Sequence, residues 1–144
     1  MIRRSLCAVT AFAAIAAAGP ALAGDVTVTL TDVRPDAGDL YISLQSEDQF
    51  MQAAAVAGEK VVNPQTDTVT VTFRDVPDGR YAMSVWHDIN GDGTFNMGPQ
   101  GPADGWSMIG ADDLRGMPTF AKNSFTLSGS ASITESVHYP ETGQ

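Results

Sequence analysis

The side chains best suited to chemistry lie in one short run, His87-Asp88-Ile89-Asn90-Gly91-Asp92-Gly93-Thr94-Phe95-Asn96. Counted from Asp88, oxygen-bearing residues occupy positions 1, 3, 5, 7 and 9 (Asp88, Asn90, Asp92, Thr94, Asn96) and Gly93 occupies position 6. This is the first half of a calcium loop of the EF-hand kind. Alternate side chains converge when the backbone curls tightly, glycine permits the sharp turn, and hard carboxylate and amide oxygens suit a hard cation. The pattern stops short at position 12, where a bidentate Glu usually closes the shell and this chain has Pro99. No helical pattern flanks the loop, so it is not an EF-hand. Remaining ligands would come from water, backbone carbonyls or later acids such as Asp104, Asp112 or Asp113. With two certain carboxylates the expected affinity is weak, roughly 10⁻⁴ to 10⁻³ M. The competing reading is a plain polar turn, because Asn-Gly and Asp-Gly are also favoured turn dipeptides.

Other chemistry is thinner. His87 and His138 without a mature cysteine supply at most half a zinc shell, and a hydrolytic site would combine His87, Asp88 and Asp104. Trp106, set in Gly101-Pro102-Ala103-Asp104-Gly105-Trp106-Ser107, is a candidate stacking surface for sugar or peptide, or an aromatic lid over the domain. Met97, Met108 and Met117 are irregularly spaced, as gap-fillers are, and copper(I) is a remote option. No nucleophile elbow, phosphate loop or dinucleotide fingerprint occurs. The expectation is a binding or structural module, with an enzyme as the alternative.

These residues need a scaffold, and the chain supplies strands. Val26 to Thr31 alternates apolar and polar residues, and Asp39 to Leu44 alternates through Leu40, Ile42 and Leu44. Arg34-Pro35-Asp36-Ala37-Gly38 has turn chemistry, so the two segments are expected to form a hairpin. Glu47 to Ala57, rich in Ala, Met and Gln, predicts a three-turn helix capped by Ser46 with Phe50, Met51, Ala54 and Ala55 inward. Thr68 to Phe73, Arg80 to Trp86, Ser124 to Leu127 and Ser132 to Tyr139 read as further strands. A long Gly/Pro-rich loop fills the stretch between about 87 and 119. Together they predict a mainly β, antiparallel β-sandwich of transthyretin-like or immunoglobulin-like kind, with one short helix. Tyr81, two residues past Gly79, is placed like the corner tyrosine of such sandwiches.

The first 23 residues read as a cleavable signal peptide. Arg3-Arg4 give a positive start, Leu6 to Ala18 a short apolar run, and Ala21-Leu22-Ala23 a small-residue cleavage site, so residues 24–144 form one mature domain. Arg3-Arg4 fit a twin-arginine pattern only loosely, and ordinary secretory export is expected. The run is too short for a membrane anchor. Cleavage removes Cys7, the single cysteine, and shifts the net charge from −9 to −11. Such a surface is a poor match for nucleic acid or anionic membrane and favours cations. A periplasmic or secreted location is expected.

The chain resembles an uncharacterised family of exported bacterial proteins, domain of unknown function 2141. The resemblance rests on Val76-Pro77-Asp78-Gly79-Arg80-Tyr81-Ala82, the run from Val85 to Gly93, Gly101-Pro102, Asp104-Gly105-Trp106-Ser107 and Pro118-Thr119-Phe120. Where the family is expected to carry Glu, this sequence has Asp104, an acid of shorter reach. The resemblance implies an exported β-sandwich and assigns no activity.

Overall fold

The computed structural model describes residues 22–141; the expected signal segment, Cys7 included, lies outside them except for Leu22 and Ala23. Alternation produces the first sheet. In β1 (Ala23–Thr31) the side chains of Val26, Val28 and Leu30 are fully buried, whereas Thr27 and Thr29 point outward and meet Thr72 and Thr70 at 3.3 Å. The second sheet opens with β2 (Asp39–Gln45), which buries Leu40, Ile42 and Leu44 in the same rhythm, followed by β3 (Ala57–Val61). Then come β4 (Val69–Pro77) and β5 (Gly79–Asp88), the two-residue ribbon β6 (Met97–Gly98) and β7 (Gly101–Pro102), β8 (Gly105–Met108), β9 (Ser124–Leu127) and β10 (Ala131–Ser136).

One sheet runs β10-β1-β4 and the other β3-β2-β5-β8, with β9 also on β5. β8 and β9 share one edge of β5 end to end, through Val85↔Ser107 and Tyr81↔Phe125. Pairing is antiparallel except between β1 and β10, which are parallel from Val26↔Ala131 to Thr31↔Ser136. The apolar faces of both sheets, joined by Met83, Val85 and Leu127, make one core. The architecture is thus the mainly β sandwich that the alternation predicts. Among the described residues no helix is long and apolar enough to cross a membrane.

Two local expectations are corrected. β1 and β2 do not form a hairpin, since β1 pairs with β4 and β10 while β2 pairs with β3 and β5. A hairpin would put both apolar sets on one face of one sheet. The core needs them opposed, so the intervening turn, with Asp32, Asp36 and Gly38 at positive φ, carries the chain from sheet to sheet. The helix over 47–57 is also absent. Only Glu47–Gln49 turns, as a single 3-10 turn in which the Ser46 N–H donates to Gln49 Oε1 at 3.2 Å. The buried Gln45 amide donates to the carbonyls of Gln52 and Ala54 at 2.7 and 3.1 Å, and Met51 sits at φ 61°, outside helical space. Met51, Ala54 and Ala55 are exposed, and Phe50 meets Phe120 edge-on at 5.8 Å. Propensity without a face to bury does not hold so short a helix.

The crossing from β4 to β5 is fastened by Tyr81. Its hydroxyl donates to the Pro77 carbonyl at 2.8 Å, the corner bond expected from its position after Gly79. Tyr81→Phe is expected to lower stability by about 1 kcal/mol with an unchanged urea m-value. Loss of less than a few tenths would show that the bond is idle.

Glu135 on β10 supplies a pH dependence. Burial pushes its carboxyl above the usual glutamate value, the Gly110 N–H pulls it back, and the charges of Asp112 and Asp113 push it up again. In the window just above 4.5 the folded state therefore binds more protons than the unfolded one, and this contribution to stability is lost as pH rises. Glu135→Gln is expected to gain in urea midpoint over wild type between pH 4 and 7. A constant difference across that range would refute it.

Candidate functional site

The end of β5 sets the site, because Trp86, His87 and Asp88 alternate outward, inward and outward. His87 is fully buried, with Nε2 3.2 Å from the Gly38 carbonyl and Nδ1 2.7 Å from the Tyr139 hydroxyl. A carbonyl only accepts, so Nε2 carries the proton and Nδ1 accepts from Tyr139. Tyr139 in turn accepts the Arg34 N–H at 2.9 Å. Burial holds the imidazole below the ordinary histidine value, against the Gly38 carbonyl, which favours the charged form. His87 is thus a neutral bolt joining the turn before β2, β5 and the segment that follows β10.

The packing there is tight. A Cβ on Gly38, which has φ 110°, would stand 2.0 Å from the Asp88 carbonyl oxygen, and one on Gly105 would stand 2.6 Å from the Tyr139 ring and 2.8 Å from His87 Cβ. Backbone and ring cannot both give way. Gly105→Ala is expected to cost about 1–3 kcal/mol by overpacking, read from the denaturation midpoint. A neutral result would mean that Tyr139 moves freely.

Beyond His87 the loop curls by bonding its own backbone. Asp88 Oδ2 accepts the Gly93 N–H at 2.9 Å, Asn90 Oδ1 accepts the Asp92 N–H at 3.1 Å, and Asp92 Oδ1 accepts the Thr94 N–H at 2.9 Å. Asn96 donates its side-chain amide to Asp92 Oδ2 at 2.7 Å, the first cause of a lowered Asp92 carboxyl, with the Thr94 N–H second. Gly91 and Gly93 take φ 69° and 72°, the left-handed conformation this curl requires. Asn90, Asp92 and Thr94 are exposed; Asn96 is half-buried.

Asp104 closes the loop from the far side. It is fully buried, and its Oδ2 accepts both the Trp86 Nε1–H at 3.3 Å and the Asn96 N–H at 3.1 Å. His87 is paired with Gly105, so Asp88 and Asp104 are the next residues along the two neighbouring strands. Asp88 is 4% exposed. The Oδ1 atoms of both are buried and have no hydrogen-bond partner. Among the described residues the ion pairs use Asp39, Asp25 and Asp112, not these two. Nor do three His, Cys, Asp or Glu side chains gather at any one point among them. A cation here would draw on two carboxylates together with amide, hydroxyl and backbone oxygens.

The remaining sequence candidates fall elsewhere. Trp106 is not on the loop but in β8, opposite Trp86, with its N–H and carbonyl exchanged with His138 at 2.9 and 2.8 Å. Its ring lies 5.0 Å from the His138 ring, and Trp86 stacks on Tyr41 at 4.7 Å, so these aromatics cover one another. Phe95 leans edge-on against Trp86 at 6.4 Å, laying the loop over the outer face of the sheet. His87 and His138 do not combine, for both His87 nitrogens are taken. Met97 and Met117 are exposed. Tyr139, Gly38 and Arg34 had no signal in the sequence, because they reach the site from distant segments.

Sheet order, the corner tyrosine and the loop at the end of β5 define a β-sandwich module with one elaborated end. The chain belongs to domain of unknown function 2141, described as an uncharacterized protein conserved in bacteria, whose profile matches residues 28–135. Neither the curated proteins nor the solved structures searched gave a match.

Proposed function

We propose that the loop from His87 to Asn96, closed by Asp104, holds a divalent cation, and that the chain is an exported, non-catalytic binding or structural module whose end this cation fixes. The observation that carries the reading is the pair of orphaned Oδ1 atoms on Asp88 and Asp104, each more than nine-tenths buried. An unmatched buried carboxylate oxygen costs several kcal/mol. A cation held by both would offset that cost. Oxygen-only donors favour calcium over softer metals. Export supports the same choice, since a weak site fills where calcium is abundant.

The hydrolytic alternative, with His87 and Asp88 as its acid and base, has less support, because a fully buried imidazole with both nitrogens bonded offers no base to a substrate. The sugar- or peptide-binding alternative on Trp106 would use a ring already covered on one side by His138.

Thermal melts with calcium and with chelator test the proposal. At calcium about 100-fold above Kd the folded state should gain about 2.7 kcal/mol. Asp104→Asn, which removes one of the two carboxylates, should abolish most of the calcium-induced rise in midpoint. A wild-type midpoint indifferent to calcium at about 100-fold above the expected Kd, roughly 10–100 mM, defeats the proposal.

A further inference from the structure

The expected cut after Ala23 falls inside the folded domain. Ala23 and Gly24 are already strand residues, registered against Pro77 and Val76 of β4. Leu22 takes part as well, its carbonyl accepting the Asp78 N–H at 2.9 Å. On the other side Gly24 is pressed so close to the turn before β10 that an added Cβ would lie 1.5 Å from the Gly129 carbonyl oxygen. The next residue, Asp25, receives the Asp75 N–H at 3.3 Å and donates its own N–H to Ser130 at the same distance. Val26, three residues past Ala23, has no exposed surface. The bond between Ala23 and Gly24 is thus flanked on both sides by backbone.

Proteases that cut an extended segment bind it as an added strand, through its own N–H and C=O groups. Here β4 has taken those groups on one edge of Ala23 and Gly24, and on the other the Gly129 carbonyl crowds Gly24. We infer that removal of the export signal and folding of the domain compete for the same stretch of backbone, so that the cut must come before β1 docks. This rests on the reading of residues 1–23 as a cleavable signal. The topology favours the required order. β1 is completed by β10, and its first partner there, Ala131, is 105 residues beyond Val26. The sheet cannot close around Gly24 until nearly the whole chain is available, and such long-range pairing is slow. An export route that delivers unfolded chain satisfies the constraint, and one that delivers folded chain does not.

The cut is a hydrolysis. Water adds across the amide, the C–N bond breaks, Ala23 leaves as a carboxylate with the signal and Gly24 keeps the proton as an ammonium. That charge appears in the register between Asp75 and Asp78 and next to Asp25, an acidic setting that favours it where the bond from Asp78 to Leu22 is lost.

Full-length precursor, incubated with signal peptidase in detergent micelles, tests the inference when followed by mass spectrometry of the product N-terminus. One sample is diluted from urea directly into the peptidase and the other is refolded first. The unfolded sample is expected to be cut between Ala23 and Gly24, and the refolded one at least about tenfold more slowly, since cutting there requires opening of β1. Leu30→Ala, which loosens β1 without touching the cut, should bring the refolded rate back up. Equal rates for the two wild-type samples overturn the competition and leave the signal reading intact. No cutting of either sample overturns the signal reading and the competition with it.

Discussion

Register in β5 is the constraint on which the rest of the molecule depends. This strand pairs with β2 on one edge and with both β8 and β9 on the other, so it fixes most of the larger sheet. A slip of one residue would turn Tyr81, Met83 and Val85 outward and drive Trp86 into the core. Each end of the strand carries a lock against that slip. Tyr81 ties the start to Pro77, and His87 ties the finish to Gly38 and Tyr139. The loop carboxylates inherit their positions from the second lock.

Asp88 and Asp104 are buried because the loop lies over them rather than because they seek the interior. Phe95 on Trp86 and the Asn96 N–H on Asp104 draw the loop down, and Gly93 turns its amide toward Asp88. Each carboxylate has one oxygen satisfied by neutral donors and one left over. Neutral hydrogen bonds orient each carboxylate through one oxygen and leave the other buried without a partner. The exposed acids, Asp92 among them, face water instead.

Strands whose inward residues are large and apolar were legible in the sequence: β1, β2, β4, β5, β9 and the core of β10. β3 was not, because Gly58, Glu59 and Lys60 are all exposed on an edge strand and leave no alternation to read. β8 was hidden for the opposite reason. Its buried positions are Gly105 and Ser107, small residues that look like turn chemistry until His87 and Tyr139 are packed against them. The false helix shows local propensity overruled by Gln45, a single buried amide. At the site, the spacing from Asp88 to Asn96 marked the curl, and the curl is there. What spacing could not show is which oxygens remain unmatched, since that depends on Trp86 and Asp104 meeting across 18 residues of chain.

The parallel pairing of β1 with β10 has a mechanical consequence. Strand one opens the described part of the domain and strand ten is its last strand, and because they run parallel side by side the start of β1 and the finish of β10 lie at opposite ends of the sheet. Tension applied through the termini therefore acts along the strands and across their hydrogen bonds. The bonds are loaded together in shear instead of being unzipped one after another. A domain tethered at both ends would resist being pulled apart at this seam.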